Sequence, residues 1–536
     1  MGERPGTRVT RRGLFRMIGA AAGGAAMYQA MSALGHAAES PYRGPVALSG
    51  APRGARVLVL GAGIAGLVAA YELRNAGYRV QVLEYADRPG GRNWTLRGGD
   101  RYTELGGATQ ECGFDPGLYL NPGPWRIPYH HQGVLSYCAR LGVALEPFVQ
   151  VNHNAYLHST KAFGGRPQRL RTVQADFGGH VAELLAKATR AGALDAPLTK
   201  EDREKLLAAM QFWGALDKEY RYVRGPESAG HRGYDRPPGG GLKARPEYSE
   251  PVGVSELLQS QLWQQIGLFQ LYEFQTTLFQ PVGGMDRISQ AFAREVGDLI
   301  RYRARVVDIA QDERGVRVAY EDLAQGGARA TAEADWCVCT IPLSILSQIP
   351  LAVGPAMQRA VAAVPYAPSI KVGLQFKRRF WEQDEQIYGG LTFTDLPIGQ
   401  IAYPSSDFLS KGKGVLLGAY VWDFDKAMEL TSMAPADRIA NALDEGRRIH
   451  PQYDTEFDNG IAVAWHRVPG AMGCFGLWSE ERRAEHYDAL CAVDGRIVLA
   501  GEHASYLPAW QEGAVTSALD AIERLHRRAV ETGARA

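Results

Sequence analysis

The chain has almost no excess charge of either sign. Its 59 basic and 58 acidic side chains leave a net charge of +1 over 536 residues. That balance carries no electrostatic footprint for nucleic acid or for an anionic membrane surface. Cysteine is scarce as well: six residues, at 112, 138, 337, 339, 474 and 491, are too few for a disulfide framework. Cys337 and Cys339 fall in the apolar run ADWCVCTIP, where cysteine reads as a small core residue. Histidines at ligand spacing are missing. His130 and His131 are adjacent, so on a helix their side chains diverge by about 100°. They read as helix-start or core residues, and no metal is expected. Beyond the N-terminal stretch no segment is long and apolar enough for a stable membrane span. What is present is ordinary for a soluble globular protein: 46% hydrophobic and 22% charged residues. The length exceeds what one hydrophobic core supports, so several domains are expected.

The N-terminus reads TRRGLFRMIGAAAGGAAMYQAMSALGHAA, with paired Arg11 and Arg12, a weakly apolar Gly/Ala-rich run and small residues at Ala37 and Ala38. Charge, apolar run and small-residue exit follow in the order of a secretory signal. Residues 1–38 resemble a twin-arginine signal peptide, which implies export of an already folded protein to the periplasm or medium.

After a Pro/Gly linker the chain reads ARVLVLGAGIAGLVAAYELRNAGYRVQVLEYADRPGGR. Val57 to Leu60 is a continuous apolar run, as for a buried parallel strand. Gly61, Gly63 and Gly66 form G-x-G-x-x-G, a helical pattern follows, and YRVQVLE ends a second strand at Glu84. Gly61 permits the tight turn, Gly63 lets backbone approach a pyrophosphate, and Gly66 lets helix and strand pack closely. The helix N-terminus offers free N–H groups to phosphate. Glu84 is placed to accept hydrogen bonds from ribose hydroxyls. No second fingerprint follows: PPGGGLKARP has no strand before it. A nicotinamide-driven hydroxylase is expected to need one, so the substrate itself is read as the reductant and O₂ as the oxidant.

RPGGR with Gly91 and Arg92, ELGGA at 104–108, PVGGMDRISQAF at 281–292 and GRIVLAGEHASYLPAWQEGAVTSALDAIERL at 495–525 together resemble the flavin-containing amine oxidase family, along nearly the whole chain after the signal. The resemblance implies noncovalent FAD. It places Arg92 by the pyrophosphate, the backbone of Val306 at the adenine, Glu502 at ribose or ribityl hydroxyls, and Gln511 to Ala514 at the flavin edge. A helix N-terminus there favours negative charge on that edge. Cys474 falls where monoamine oxidases attach flavin, but it reads as a buried free thiol, because amino acid oxidases hold FAD noncovalently.

The stretch NPGPWRIPYHH sets Arg126 between Pro124 and Pro128. It resembles the segment of L-amino acid oxidases, closest to the bacterial L-glutamate oxidase type, in which an arginine pairs with the substrate α-carboxylate. A planar guanidinium grips a carboxylate with two parallel hydrogen bonds, and a stiff loop loses little entropy in holding it. The same resemblance implies that Lys371 holds a water at flavin N5 and that the Tyr403 hydroxyl supports the carboxylate. It also implies that Phe475 lines the side-chain pocket, that the Ala509 carbonyl receives the amine, and that Trp510 stands beside the flavin. Lys371, Arg126 and Trp510 are thus the expected catalytic set. The stretch WQQIGLFQLYEFQTTLFQ has no Arg, Lys or His, so glutamate is not the expected substrate.

The expected fold is α/β. A Rossmann-type, GR2-like FAD domain spans 53–111, 278–345 and 465–536. A helical domain covers 130–275, and a mixed-sheet substrate domain covers 112–129 and 346–464. Within the helical part, the Gly/Pro/charged stretch 220–253 is expected to be an exposed loop. The expected activity is oxidative deamination of an L-amino acid to the 2-oxo acid, ammonia and H₂O₂, by a homodimer. The alternatives on this scaffold are a decarboxylating amino-acid monooxygenase and a monoamine or polyamine oxidase.

Overall fold

The apolar run at Arg56–Leu60 becomes the centre of a six-stranded sheet, flanked by Arg79–Leu83 and Trp336–Cys339. The spatial order is Ile300–Arg301, Arg79–Leu83, Arg56–Leu60, Trp336–Cys339, Ile497–Leu499, Val493–Asp494. The first five run parallel and the last is antiparallel. The structure is a computed structural model that describes residues 40, 42–194, 198–242, 244–274 and 276–533. The export signal expected at 1–38 lies outside the described residues.

Both faces of this sheet are covered, which is why its central strands are apolar and buried at Val57 to Leu60 and along Trp336–Cys339. Helices Ile64–Asn75 and Gln511–Gly533 pack on one face through Leu67, Val68, Leu73, Val515, Ala518 and Ile522. The antiparallel strands Ala304–Gln311, Val316–Asp322 and Ala328–Ala334 cover the other through Val318 and Tyr320. Cys337 and Cys339 are fully buried there, and burial pushes the Cys339 thiol up to about 12. Each buried Val or Leu contributes roughly 1.5–3 kcal/mol.

The second sheet has seven strands, in the order Gln168–Arg169, Tyr156–His158, Leu391–Thr394, Gln400–Ala402, Gly414–Val421, Ile370–Phe376, Phe457–Ala464. It is mixed: Leu391–Thr394 runs parallel to Tyr156–His158, and the other pairings are antiparallel. Two of its strands therefore come from the segment read as helical at 130–275. Strands this short carry too few residues for an alternating pattern to stand out.

The 220–253 stretch differs from a bare loop. It forms a short helix, Pro226–Arg232, and a hairpin of Tyr234–Arg236 with Glu247–Tyr248. Arg232 is buried and its Nε donates to Asp176 Oδ1 at 2.8 Å; Tyr222 Oη and Val252 N donate to the same carboxylate at 2.8 and 2.9 Å. Removing one partner of such a buried pair costs about 3–5 kcal/mol. The stretch's longest exposed run among the described residues is 235–242.

Candidate active site

A cavity of about 740 Å³ is lined by residues of both sheets and of the loops between them. One end is built by the glycine-rich turn. Gly61 turns with φ +101°, and a Cβ on Gly66 would collide with the Gly61 carbonyl, so helix and strand are in close contact there. Gly63 is different. A Cβ built on it meets no protein atom within 4 Å, and Gly63 lines the cavity, so any side chain would stand in the cavity itself. Glu84 is buried beside it, accepting the N–H groups of Ala62 at 2.5 Å and Ala86 at 2.8 Å. Burial raises its carboxyl above the usual range despite those two donors. Val306 lines the same end, where the ladder slips register between Val306 and Asp308 and so loosens backbone pairing. Gly91, Arg92, Glu502, Gln511 and Ala514 line the cavity further along. Arg92 Nη1 donates to Glu502 Oε1 and to the Cys474 carbonyl, both at 2.7 Å. Glu502 also accepts from Gly476 N at 3.2 Å and Ala509 N at 3.3 Å. The helix beginning at Gln511 points its free N–H groups at the cavity, with the Gln511 side chain fixed by Asn93 at 2.7 Å. A cradle open only at Gly63, a ribose-ready carboxylate and two helix N-termini fit an adenine dinucleotide.

Arg126 lines the other end, buried, with its guanidinium over the rings of Phe274 at 4.6 Å, Trp125 at 5.1 Å and Trp510 at 5.5 Å. The loop that carries it is tied from three sides. Lys371 Nζ donates to the carbonyls of Asn121 at 3.2 Å and Gly123 at 2.5 Å, and Trp465 Nε1 donates to that of Pro122 at 2.8 Å. Ile127–Pro128 pairs with Leu278 and Phe279. The prolines stiffen the loop, and these bonds fix where it points. Trp510, Phe475 and Ala509 line the cavity with Arg126. Ala509 holds a left-handed backbone, φ +69°. For a residue with a Cβ that costs about 1 kcal/mol or more, and its N–H on Glu502 helps to hold it.

Two expected residues sit elsewhere. Tyr403 is buried on the opposite face of the second sheet, its hydroxyl bonded to Thr392 Oγ1 at 2.8 Å and His450 Nε2 at 2.7 Å. It is not in the cavity wall and cannot support a carboxylate there; Tyr420 supplies the phenol in that wall. Lys371 stands one layer behind, its Nζ 4.7 Å from the Trp125 ring and 4.6 Å from that of Tyr420. Burial, with Arg126 adding and Cys474 opposing, lowers its ammonium to about 7. His130 and His131 are buried at the start of helix Gln132–Arg140, with the His131 ring against Trp510.

The structure also brings in residues that the sequence reading passed over: Gln150, Glu273, Tyr420 and Trp422. Tyr420 and Trp422 are two apart at the end of GVLLGAYVW, so they share a face of the strand. Glu273 is a lone carboxylate in the apolar run GLFQLYEF, and that isolation was its signal.

A family model described as flavin containing amine oxidoreductase matches residues 64–526 of this chain. Among curated proteins, an L-amino-acid oxidase of Siganus canaliculatus is 27% identical over 88% of this chain and 85% of its own length. An L-amino-acid oxidase of Bungarus fasciatus is 28% identical over 88% and 86%. Among solved structures, cyclohexylamine oxidase from Brevibacterium oxydans IH-35A superposes with a TM-score of 0.58 at 18% identity, covering 89% of this chain and 99% of its own. Putrescine oxidase bound to putrescine gives 0.56 at 19% identity, covering 90% and 99%. The two structures share this fold.

Proposed function

The chain belongs to the flavin-containing amine oxidoreductase family, and from that premise we propose that it oxidatively deaminates an L-amino acid, with noncovalently held FAD and with O₂ as the oxidant. The observation that carries this reading is Arg126: one buried, immobilised guanidinium in an aromatic cavity wall, at the end away from the nucleotide cradle. Simple amines have no carboxylate to place there. The L-amino-acid oxidases of Siganus canaliculatus and Bungarus fasciatus support the same substrate class.

Gly61, Gly63 and Glu84 would hold the adenosine and pyrophosphate, with Gly66 packing the helix against the turn, Val306 would hold the adenine, and Arg92 with Glu502 and the helix N-terminus at Gln511 the flavin side. FAD, when bound, supplies the hydride acceptor. The protein's part is orientation. Arg126, with Tyr420 nearby, takes the carboxylate, while Trp510 and the Ala509 peptide border the amine and Phe475 the side chain. Loss of hydride from Cα and of a proton from nitrogen leaves an imino acid. Water converts it to the 2-oxo acid and ammonia, and two electrons and two protons pass on to O₂ as H₂O₂. Lys371 acts through its loop: two of its N–H groups hold the carbonyls next to Arg126.

Arg126→Ala tests the reading. Cutting one side of a buried guanidinium–carboxylate pair costs about 2–5 kcal/mol, so kcat/KM for the best L-amino acid should fall by roughly 30-fold to several thousand-fold. The loss should be much smaller for the matching decarboxylated amine, with flavin content retained. Equal losses for acid and amine would remove the assignment. CO₂ in place of peroxide would shift the reaction to a decarboxylating monooxygenase.

Export by the twin-arginine route is part of the same proposal, supported by the order of Arg11, Arg12, apolar run and small residues. A homodimer is proposed too; exposed apolar side chains on helices Leu170–Arg190 and Lys200–Trp213 support it, with Phe212 88% and Trp213 57% exposed.

A further inference from the structure

Glu273 is 2% exposed, lines the cavity at the Arg126 end, and among the described residues has no hydrogen-bond partner on either carboxylate oxygen. A buried, unpaired carboxylate is costly, and proteins keep such groups paired unless a ligand completes them. Arg126 is the charged side chain that acts on it, favouring its ionised form. Gln150 lines the same cavity, and its side-chain oxygen is also buried without a partner. The walls around them are aromatic: Trp125, Phe274, Tyr420 and Trp422.

We propose that Glu273 is the specificity-determining residue of this site and that it selects an L-amino acid with a cationic side chain, pairing with the ammonium or guanidinium end. This rests on the amino-acid reading above. With the α-carboxylate on Arg126, three classes of side chain meet Glu273 differently. An acidic one places like charge against a buried carboxylate. An apolar one seals Glu273 away from water with nothing to bond. A basic one supplies the missing donors and the opposite charge, and the aromatic walls favour a cation further. Burial raises the Glu273 carboxyl to about 7, and a cation bound beside it would favour the ionised form again.

The wild type and Glu273→Gln, each checked for flavin content and thermal stability, should be assayed for peroxide with L-lysine, L-arginine, L-leucine and L-glutamate. Each should also be titrated with α-methyl-L-lysine and α-methyl-L-leucine, which lack the Cα hydrogen and so bind without reacting. L-Lysine or L-arginine should exceed L-leucine in kcat/KM for the wild type, and which of the two leads tells ammonium from guanidinium. In Glu273→Gln that ratio should fall at least tenfold, and the affinity ratio of the two α-methyl compounds should fall with it. A wild type that prefers L-leucine or L-glutamate overturns this inference and leaves amino-acid oxidation standing. So does a variant that loses basic and neutral substrates by the same factor, which would make Glu273 a general base or a packing residue. A wild type that oxidises no L-amino acid overturns both.

Discussion

Glu273 and Lys371 are buried ionisable groups brought to about 7 from opposite directions, and both changes come first from lost hydration. A substrate cation needs Glu273 ionised, and below about pH 7 its carboxyl is protonated and neutral. Selectivity for a basic over a neutral L-amino acid should therefore rise between about pH 6 and pH 8. Lys371 and the substrate's own α-ammonium titrate for both substrates, so the ratio of the two kcat/KM values cancels them. In Glu273→Gln the ratio should be flat with pH; a wild-type ratio that is flat or falls with pH would contradict the pairing. Arg126 was legible in the sequence because proline, guanidinium and tryptophan stand together in one short motif. Tyr403 was misplaced by strand parity. Gln400 and Ala402 face the cavity side while Ile401 and Tyr403 face the opposite core, and a one-residue shift of register exchanges the two faces. Glu273 was passed over because its one signal, isolation in an apolar run, has no spacing that names a role; its burial in the cavity wall supplies one.

At the scale of elements, the glycine-rich turn separates fold from cofactor binding more sharply than its motif implies. Gly63 has ordinary backbone torsions, φ −70°, and a Cβ there touches no protein atom. Gly63→Val should thus stay soluble and folded but purify colourless, because its methyl groups occupy the pyrophosphate path. Gly66→Ala should behave oppositely. Its Cβ meets the Gly61 carbonyl, a backbone atom that cannot turn aside, so stability should fall before flavin binding is tested. The ratio of flavin to protein absorbance and the melting temperature read out the pair. A fully flavinated Gly63→Val would contradict the cofactor site. The parallel strand and the helix after it were legible from an apolar run and its glycine punctuation, and the terminal helix from the block at 495–525 that resembles the family. Tyr156–His158 and Gln168–Arg169 were not, since their pairing is decided by Leu391–Thr394, far away in sequence.

For the whole molecule, the nucleotide half draws on residues spread along nearly all of the described chain. Its sheet takes strands from Arg56–Leu60 to Ile497–Leu499. The Ser40 hydroxyl donates to Glu512 on the last helix, and Glu512 also accepts the N–H groups of Gly133 and Val134, each at 2.8 Å. The last helix supplies Gln511 and Ala514 to the cavity wall, so the cradle is complete only with the C-terminal helix in place. A protein loaded where FAD is made and used beyond the membrane has to cross folded, which is what Arg11 and Arg12 are proposed to direct. Replacing both with lysine keeps the charge and removes only the paired guanidinium signal. The double variant should accumulate inside the cell as a folded yellow protein with normal peroxide output, while the wild type is found outside the inner membrane. Cell fractionation with flavin fluorescence measures this. Normal export of the lysine variant would overturn the twin-arginine assignment. Retention as an unfolded, colourless protein would mean that folding, and not the signal, limits its passage.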